Sequence, residues 1–276
     1  MNTAVAFERW RPGTTPRRLS ETLFDGALIV FDGLRPVARL VDRVRAILAE
    51  TFETEESAVA ERHLSAVTFR RLAIQAREAV ATDAAVVRHW WDALAVIGYR
   101  REATWLDQIR LRVVPSRGDI EHQRLQAVPP HRDTWGSGIM AQINWWLPLY
   151  PLAESSTMLL WPDVFRHPIA NNSGEWSFEA FRNGRENGYP LLPVACRRPV
   201  QPRAPVLIEP GQLLGFSAAH LHAGVSDASG RTRFGVDTRS VWEPDRSAGR
   251  GAPNVDGAAR EEMWRWFRPP RVNGER

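Results

Sequence analysis

His131, Arg132 and Asp133 are the sharpest chemical signal in the chain. In extended backbone, side chains two residues apart share a side, so the His131 imidazole and the Asp133 carboxylate can serve one ion. A third, distant histidine would complete a set of two histidines and one carboxylate, which leaves open positions and suits ferrous iron. The segment GFSAAHLHAGV, residues 215–225, offers His220 and His222. The same donors also serve zinc hydrolases, so the triplet by itself leaves the metal open.

A second signal lies in RTRFGVDTRSV, residues 231–241. Read as a strand, it places Arg231, Arg233, Gly235, Asp237 and Arg239 on one face and Thr232, Phe234, Val236 and Thr238 on the other. A charged face buried without partners is costly, but it suits a cavity that receives an anion. An arginine fork matches a carboxylate with two parallel hydrogen bonds. The alternative is a solvent-facing strand with a salt bridge to Asp237. Gln142, Asn144 and Thr157 are candidate hydrogen-bonders to a ligand, and equally able to satisfy backbone or water. Trp135 and Trp146 are candidate pocket walls, or core. Arg110 and Arg112, alternating with Ile109, Leu111 and Val113, hint at an anionic or polar substrate.

These residues need a frame. Gly26–Leu34 reads as a buried strand, and Pro36 opens a helix through Phe52 with Leu40, Val41, Val44, Ile47 and Leu48 at helical spacing. A second helical region spans roughly residues 57–95. From Trp105 the pattern becomes alternation: LDQIRLRVV, IMAQINWWLPL, SSTMLLW, APVLIEP, QLLGFSAAHLHAGV and RTRFGVDTRSV read as strands. In IMAQINWWLPL, Ile139, Ala141, Ile143 and Trp145 oppose Met140, Gln142, Asn144 and Trp146. Residues 163–202 are irregular, as functional lids often are. The tail after Trp242 reads as a surface extension with an amphipathic piece at MWRWF.

The 276 residues suit one domain with one large barrel rather than two domains. There is no lysine, so all 36 cations are arginines, interspersed with 32 acids. Without a basic run or face, a nucleic-acid partner is not expected. The absence of lysine points to coding bias rather than function. The single cysteine, Cys196, rules out an internal disulfide framework. No apolar run has the length of a membrane span or a signal peptide, so a cytoplasmic enzyme is the expectation, with no membrane partner and a homodimer allowed.

With HRD at 131–133, then AQINWWLPL, then PGQLLGFSAAHLHAGVSDASGRTRF, the chain resembles the phytanoyl-CoA dioxygenase-like branch of the Fe(II)/2-oxoglutarate-dependent oxygenases over about residues 108–241. In that branch the distal iron histidine is followed five places on by an Asn-type residue, and eleven places on by the arginine that binds 2-oxoglutarate. From His222 these are Asp227 and Arg233; from His220 they would be Val225 and Arg231. The resemblance therefore implies His131, Asp133 and His222 as ligands and Arg233 as the co-substrate anchor. Arg239 is the runner-up, and His220 a nearby contact.

What it implies beyond this is a mainly β fold with flanking helices: a double-stranded β-helix (jelly-roll, cupin-like) barrel over about 105–242, N-terminal helices packed on its outer sheet, an insertion at 163–202 and an extension at 243–276. The implied cofactors are Fe(II), 2-oxoglutarate and O2. The implied reaction is hydroxylation of an unactivated C–H bond of a small polar molecule, in the biosynthesis of a specialised metabolite, releasing succinate and CO2. Retention of Asp133 disfavours halogenation. A cupin-like binding protein without oxygenase activity and a zinc-dependent hydrolase are the alternatives.

Overall fold

The computed structural model describes residues 7–120, 122–184 and 189–270. In chain order, β1 (Glu8–Arg9) leads into α1 (Pro16–Phe24), β2 (Leu28–Phe31), α2 (Arg35–Phe52), α3 (Ala66–Thr82) and α4 (Ala84–Ile97). Then come β3 (Thr104–Asp107), β4 (Arg110–Val114), α5 (Asp133–Ser137), β5 (Ile143–Pro148) and β6 (Met158–Leu160). The rest are α6 (Phe178–Gly184), β7 (Ala204–Pro205), β8 (Leu213–Ser217), β9 (His222–Gly224), β10 (Arg233–Trp242), α7 (Glu243–Ser247) and β11 (Phe267–Arg268).

The helical stripe of α2 buries Val37, Leu40, Val41, Val44, Ile47, Leu48 and Phe52. The helical region expected over 57–95 is divided at Asp83. Its extended backbone ends α3, and its carboxylate then caps α4 by accepting from the Val86 amide at 2.8 Å.

Eight strands form a large sheet in the order β1-β2-β8-β5-β10-β3-β11, with β4 also pairing β10. Every pairing is antiparallel except β1 with β2. Alternation along its strands separates two environments. Leu111, Val113, Ile143, Trp145, Phe234 and Val236 join α2, α3 and α4 in one core. Arg110, Arg112, Asn144, Trp146, Arg233, Asp237 and Arg239 line a cavity. A small sheet, β7-β6-β9, packs Met158 and Leu160 against Trp146, Leu214 and Phe216 of the large one.

Two expectations are corrected. The barrel is not closed: among the described residues no strand pairing joins the large sheet to the small one. The reason lies in segments expected to be continuous. The chain from Gln212 to Val225 is broken at Ala218–Leu221, where a turn carries it from the large sheet to the small one, and β5 begins only at Ile143 after a turn. The large sheet also takes β1, β2 and β11 from outside residues 105–242. The tail, expected at the surface, returns to the body of the molecule: β11 pairs β3, and Ala252, Met263 and Phe267 are buried. No helix among the described residues is long and apolar enough to cross a membrane.

Candidate metal centre

His131 precedes α5, and His222 opens β9. The two are joined by a reciprocal backbone pair, each amide donating to the other's carbonyl at 2.9 Å. This pairing brings the rings to 4.1 Å between centroids. Each Nδ1 lies on a carbonyl, that of His131 on Pro129 at 2.8 Å and that of His222 on His220 at 3.0 Å. Those contacts select the tautomer with the proton on Nδ1 and leave the Nε2 lone pair for a metal. Asp133 opens α5 rather than continuing a strand, and its Oδ1 stands 3.6 Å from His131 Nε2. One donor atom from each of His131, Asp133 and His222 lies within 4.8 Å of the others.

The electrostatics suit a cation. Burial, reinforced by the neighbouring His222, lowers the His131 imidazole to about 3, so it is neutral at pH 7. Burial by itself would raise the Asp133 carboxyl. Its electrostatic interactions with the neighbouring His222, Arg239, His131 and Arg112 outweigh that and hold it below the usual carboxylate range. Asn144 donates to Asp133 Oδ2 at 2.5 Å and is itself held by Gln142, whose amide donates to Asn144 Oδ1 at 2.9 Å. One carboxylate oxygen is thus occupied while Oδ1 faces the histidines.

The triad opens on a cavity of about 260 Å³. Its arginines differ in their partners. Arg110 and Arg239 both bind Asp107, at 2.8 and 2.6 Å, and Arg112 pairs with Asp237. Arg233 has no hydrogen bond or ion pair to the described residues, and its Nε is buried without a partner. Burial and then Arg112 lower it to about 10, which still leaves it cationic at neutral pH.

Of the remaining sequence-predicted residues, Trp146 lines the cavity with Asn144, Arg110, Arg112 and Arg239. Gln142 sits behind Asn144 rather than in the lining. Thr157 is fully buried away from the cavity, because its hydroxyl donates to the Val206 carbonyl between β6 and β7. Trp135 does not wall the pocket either. It packs among Leu159, Trp161 and Leu221 and donates to Asp256. His220 is fully buried outside the cavity lining and stacks on Phe165 at 4.4 Å. Asp227 turns to Ser155 and Ser229, and Arg231 is exposed.

Sequence reasoning missed Asp107, whose double partnership with Arg110 and Arg239 depends on three strands meeting. It also missed the wall formed by Phe178, Phe181, Leu191, Leu192 and Trp266. The only local signal for Trp266 was the aromatic cluster MWRWF, whose direction the sequence does not reveal.

No family model matches the chain, and no curated protein does. Among solved structures, it is similar to the apo form of the non-haem monooxygenase ThoJ, at 14% identity, 81% of this chain, 77% of that one and a TM-score of 0.49. It is similar to SnoN, described as a non-haem α-ketoglutarate-dependent epimerase from nogalamycin biosynthesis, at 15% identity, 82% and 84% coverage and a TM-score of 0.43. EctD from S. alaskensis, solved with 2-oxoglutarate and 5-hydroxyectoine, gives 14% identity, 93% and 94% coverage and a TM-score of 0.43. These likenesses are distant in both sequence and shape.

Proposed function

We propose that the chain is an Fe(II)/2-oxoglutarate-dependent dioxygenase that hydroxylates an unactivated C–H bond of a small molecule. The observation that carries this reading is a pairing: a buried two-histidine, one-carboxylate donor set shares its cavity with Arg233, a buried guanidinium lacking the carboxylate that the other cavity arginines have. A buried, unpaired arginine costs free energy that an anionic co-substrate would offset. A zinc hydrolase would leave Arg233 without that purpose, and a passive binding protein would leave the triad without one.

His131, Asp133 and His222 would hold the iron, and Arg233 would take the far carboxylate of 2-oxoglutarate through its planar fork. Bound there, iron with 2-oxoglutarate and O2 supplies the oxidising power for hydroxylation, with succinate and CO2 as co-products. The chain supplies position and dryness. Asn144 keeps one Asp133 oxygen engaged, and segment 163–202 contributes Phe178, Phe181, Leu191 and Leu192 as an apolar cover.

Those walls refine the expected polar substrate. With Arg110 already held by Asp107, which it shares with Arg239, and Arg112 by Asp237, they favour a molecule with an apolar body that places one C–H bond near the triad. The test is anaerobic titration with Fe(II) and 2-oxoglutarate, monitored by the visible metal-to-ligand charge-transfer band. The band is expected in the wild-type chain and in His220→Ala, and absent in His131→Ala, Asp133→Ala and His222→Ala. A hydrolytic activity supported by zinc alone, with no such band, would overturn the reading.

A further inference from the structure

Arg132 stands between two of the triad residues, yet its guanidinium turns into the protein, where the residue is 1% exposed. An arginine has five N–H donors, and here all five are used. Nε donates to Asp256 Oδ2 at 3.1 Å. Nη1 donates to the carbonyls of Phe165 at 3.2 Å and of Ala219. Nη2 donates to the carbonyls of Val164 at 2.7 Å and His167 at 2.9 Å. Ala219 lies in the turn that delivers His222, so this one side chain spans from the HRD segment to the segment carrying the distal histidine.

Asp256, in the tail, completes the arrangement. Its carboxylate also accepts from Trp135 Nε1 at 2.7 Å and from the Ile169 amide at 2.9 Å, and its backbone carbonyl accepts from Asn171 Nδ2 at 3.0 Å. Trp135 belongs to α5, the helix that Asp133 opens. Both sides of the triad are therefore braced from behind by one ion pair whose acid comes from more than 120 residues away in sequence.

We infer that Arg132 and Asp256 form a positioning pair for the metal centre, which makes the C-terminal segment part of the site. Every guanidinium donor of Arg132 is spent on Asp256 or on backbone carbonyls, so the pair acts through the segments it holds. It fixes the separation between the His131–Asp133 segment and His222, so loosening it spreads the donor atoms. This rests on the metal-site reading above. A purely structural brace would lower stability and leave the donor geometry unchanged.

The test is titration of the metal-free full chain with Co(II), read by visible d–d absorption and by the fitted Kd, beside thermal unfolding of the same metal-free samples. Asp256→Asn is expected to raise the Co(II) Kd by about tenfold to a hundredfold, the range for groups that orient metal ligands, and to change the band shape. Asp83→Ala, which weakens a helix cap in the helical layer, serves as the stability control and is expected to keep the wild-type spectrum and a Kd within about twofold. Should Asp256→Asn not fold, Arg132→Lys reads the same effect, since an ammonium offers three donors where five are used. A Kd and spectrum equal to wild type in the folded variants, or changes that the control reproduces, would overturn the inference. A wild-type chain that binds no Co(II) would overturn the metal site together with its brace.

Discussion

Arg233 is distinguished from its neighbours by what it lacks. Arg112 pairs with Asp237, and Arg110 and Arg239 share Asp107, whereas Arg233 has no hydrogen-bonded acid among the described residues. Charge-assisted hydrogen bonds to a buried arginine contribute about 1.5–3 kcal/mol. Arg233→Gln is therefore expected to weaken 2-oxoglutarate binding by roughly tenfold to a hundredfold, measured by the titration of the charge-transfer band, with Co(II) affinity preserved. Asn144 acts differently, through Asp133. Asn144→Ala frees the second carboxylate oxygen to rotate, and the expected result is weaker metal binding with a much smaller effect on the 2-oxoglutarate concentration needed once iron is saturating. A proportional loss in both would place Asn144 on the co-substrate instead.

At the scale of elements, Asp83 shows how one residue shapes two helices. Its carboxylate caps α4 and also accepts from Arg43 of α2, at 2.7 Å. The Arg43 hydrogen bond is the largest cause of its lowered pKa, only partly opposed by burial. Asp83→Ala is expected to cost about 1 kcal/mol in urea unfolding at neutral pH. The sign with pH follows from the lowered folded value. The contribution is present above the unfolded value of about 4 and is lost as pH falls towards the folded one. The gap between wild type and Asp83→Ala should close in acid, and a gap that widens there would contradict the capping role. Gly215 marks a tight approach in β8: a Cβ there would lie 2.9 Å from the Trp145 ring and 3.0 Å from Phe31. Gly215→Ala should therefore destabilise the pairing of β5 with β8 and β2.

For the molecule as a whole, the large sheet divides an apolar helical side from a charged cavity side, and Asp107 holds the boundary. It is 3% exposed and binds two cavity arginines. Burial pulls its pKa up, but Arg239 and Arg110 overcome this and leave it lowered. Asp107→Asn should lower stability at pH 7 by leaving buried guanidinium charge uncompensated, with the difference from wild type starting to shrink below the unfolded carboxyl value of about 4 and lost as pH falls towards the lowered folded value. Denaturant unfolding at pH 7 and at pH 3.5 checks this. An equal deficit at both would remove Asp107 from the acid response.

Periodicity alone determined which strand faces meet apolar or charged surroundings, because alternation of side chains is a local property of extended backbone. It separated Leu111 and Val113 from Arg110 and Arg112, and Phe234 and Val236 from Arg233 and Asp237. The HRD triplet and the GFSAAHLHAGV segment were also visible as candidate ligands. The resemblance already favoured His222 over His220, and the tertiary structure sets His222 beside His131 through a backbone pair between segments about ninety residues apart. It also decided which arginine stays without an acid, that Trp135 and Thr157 serve packing and backbone, and that the tail returns to brace the site. Each of those outcomes depends on long-range pairing of buried polar groups, and local spacing carries no record of which distant partner will satisfy them.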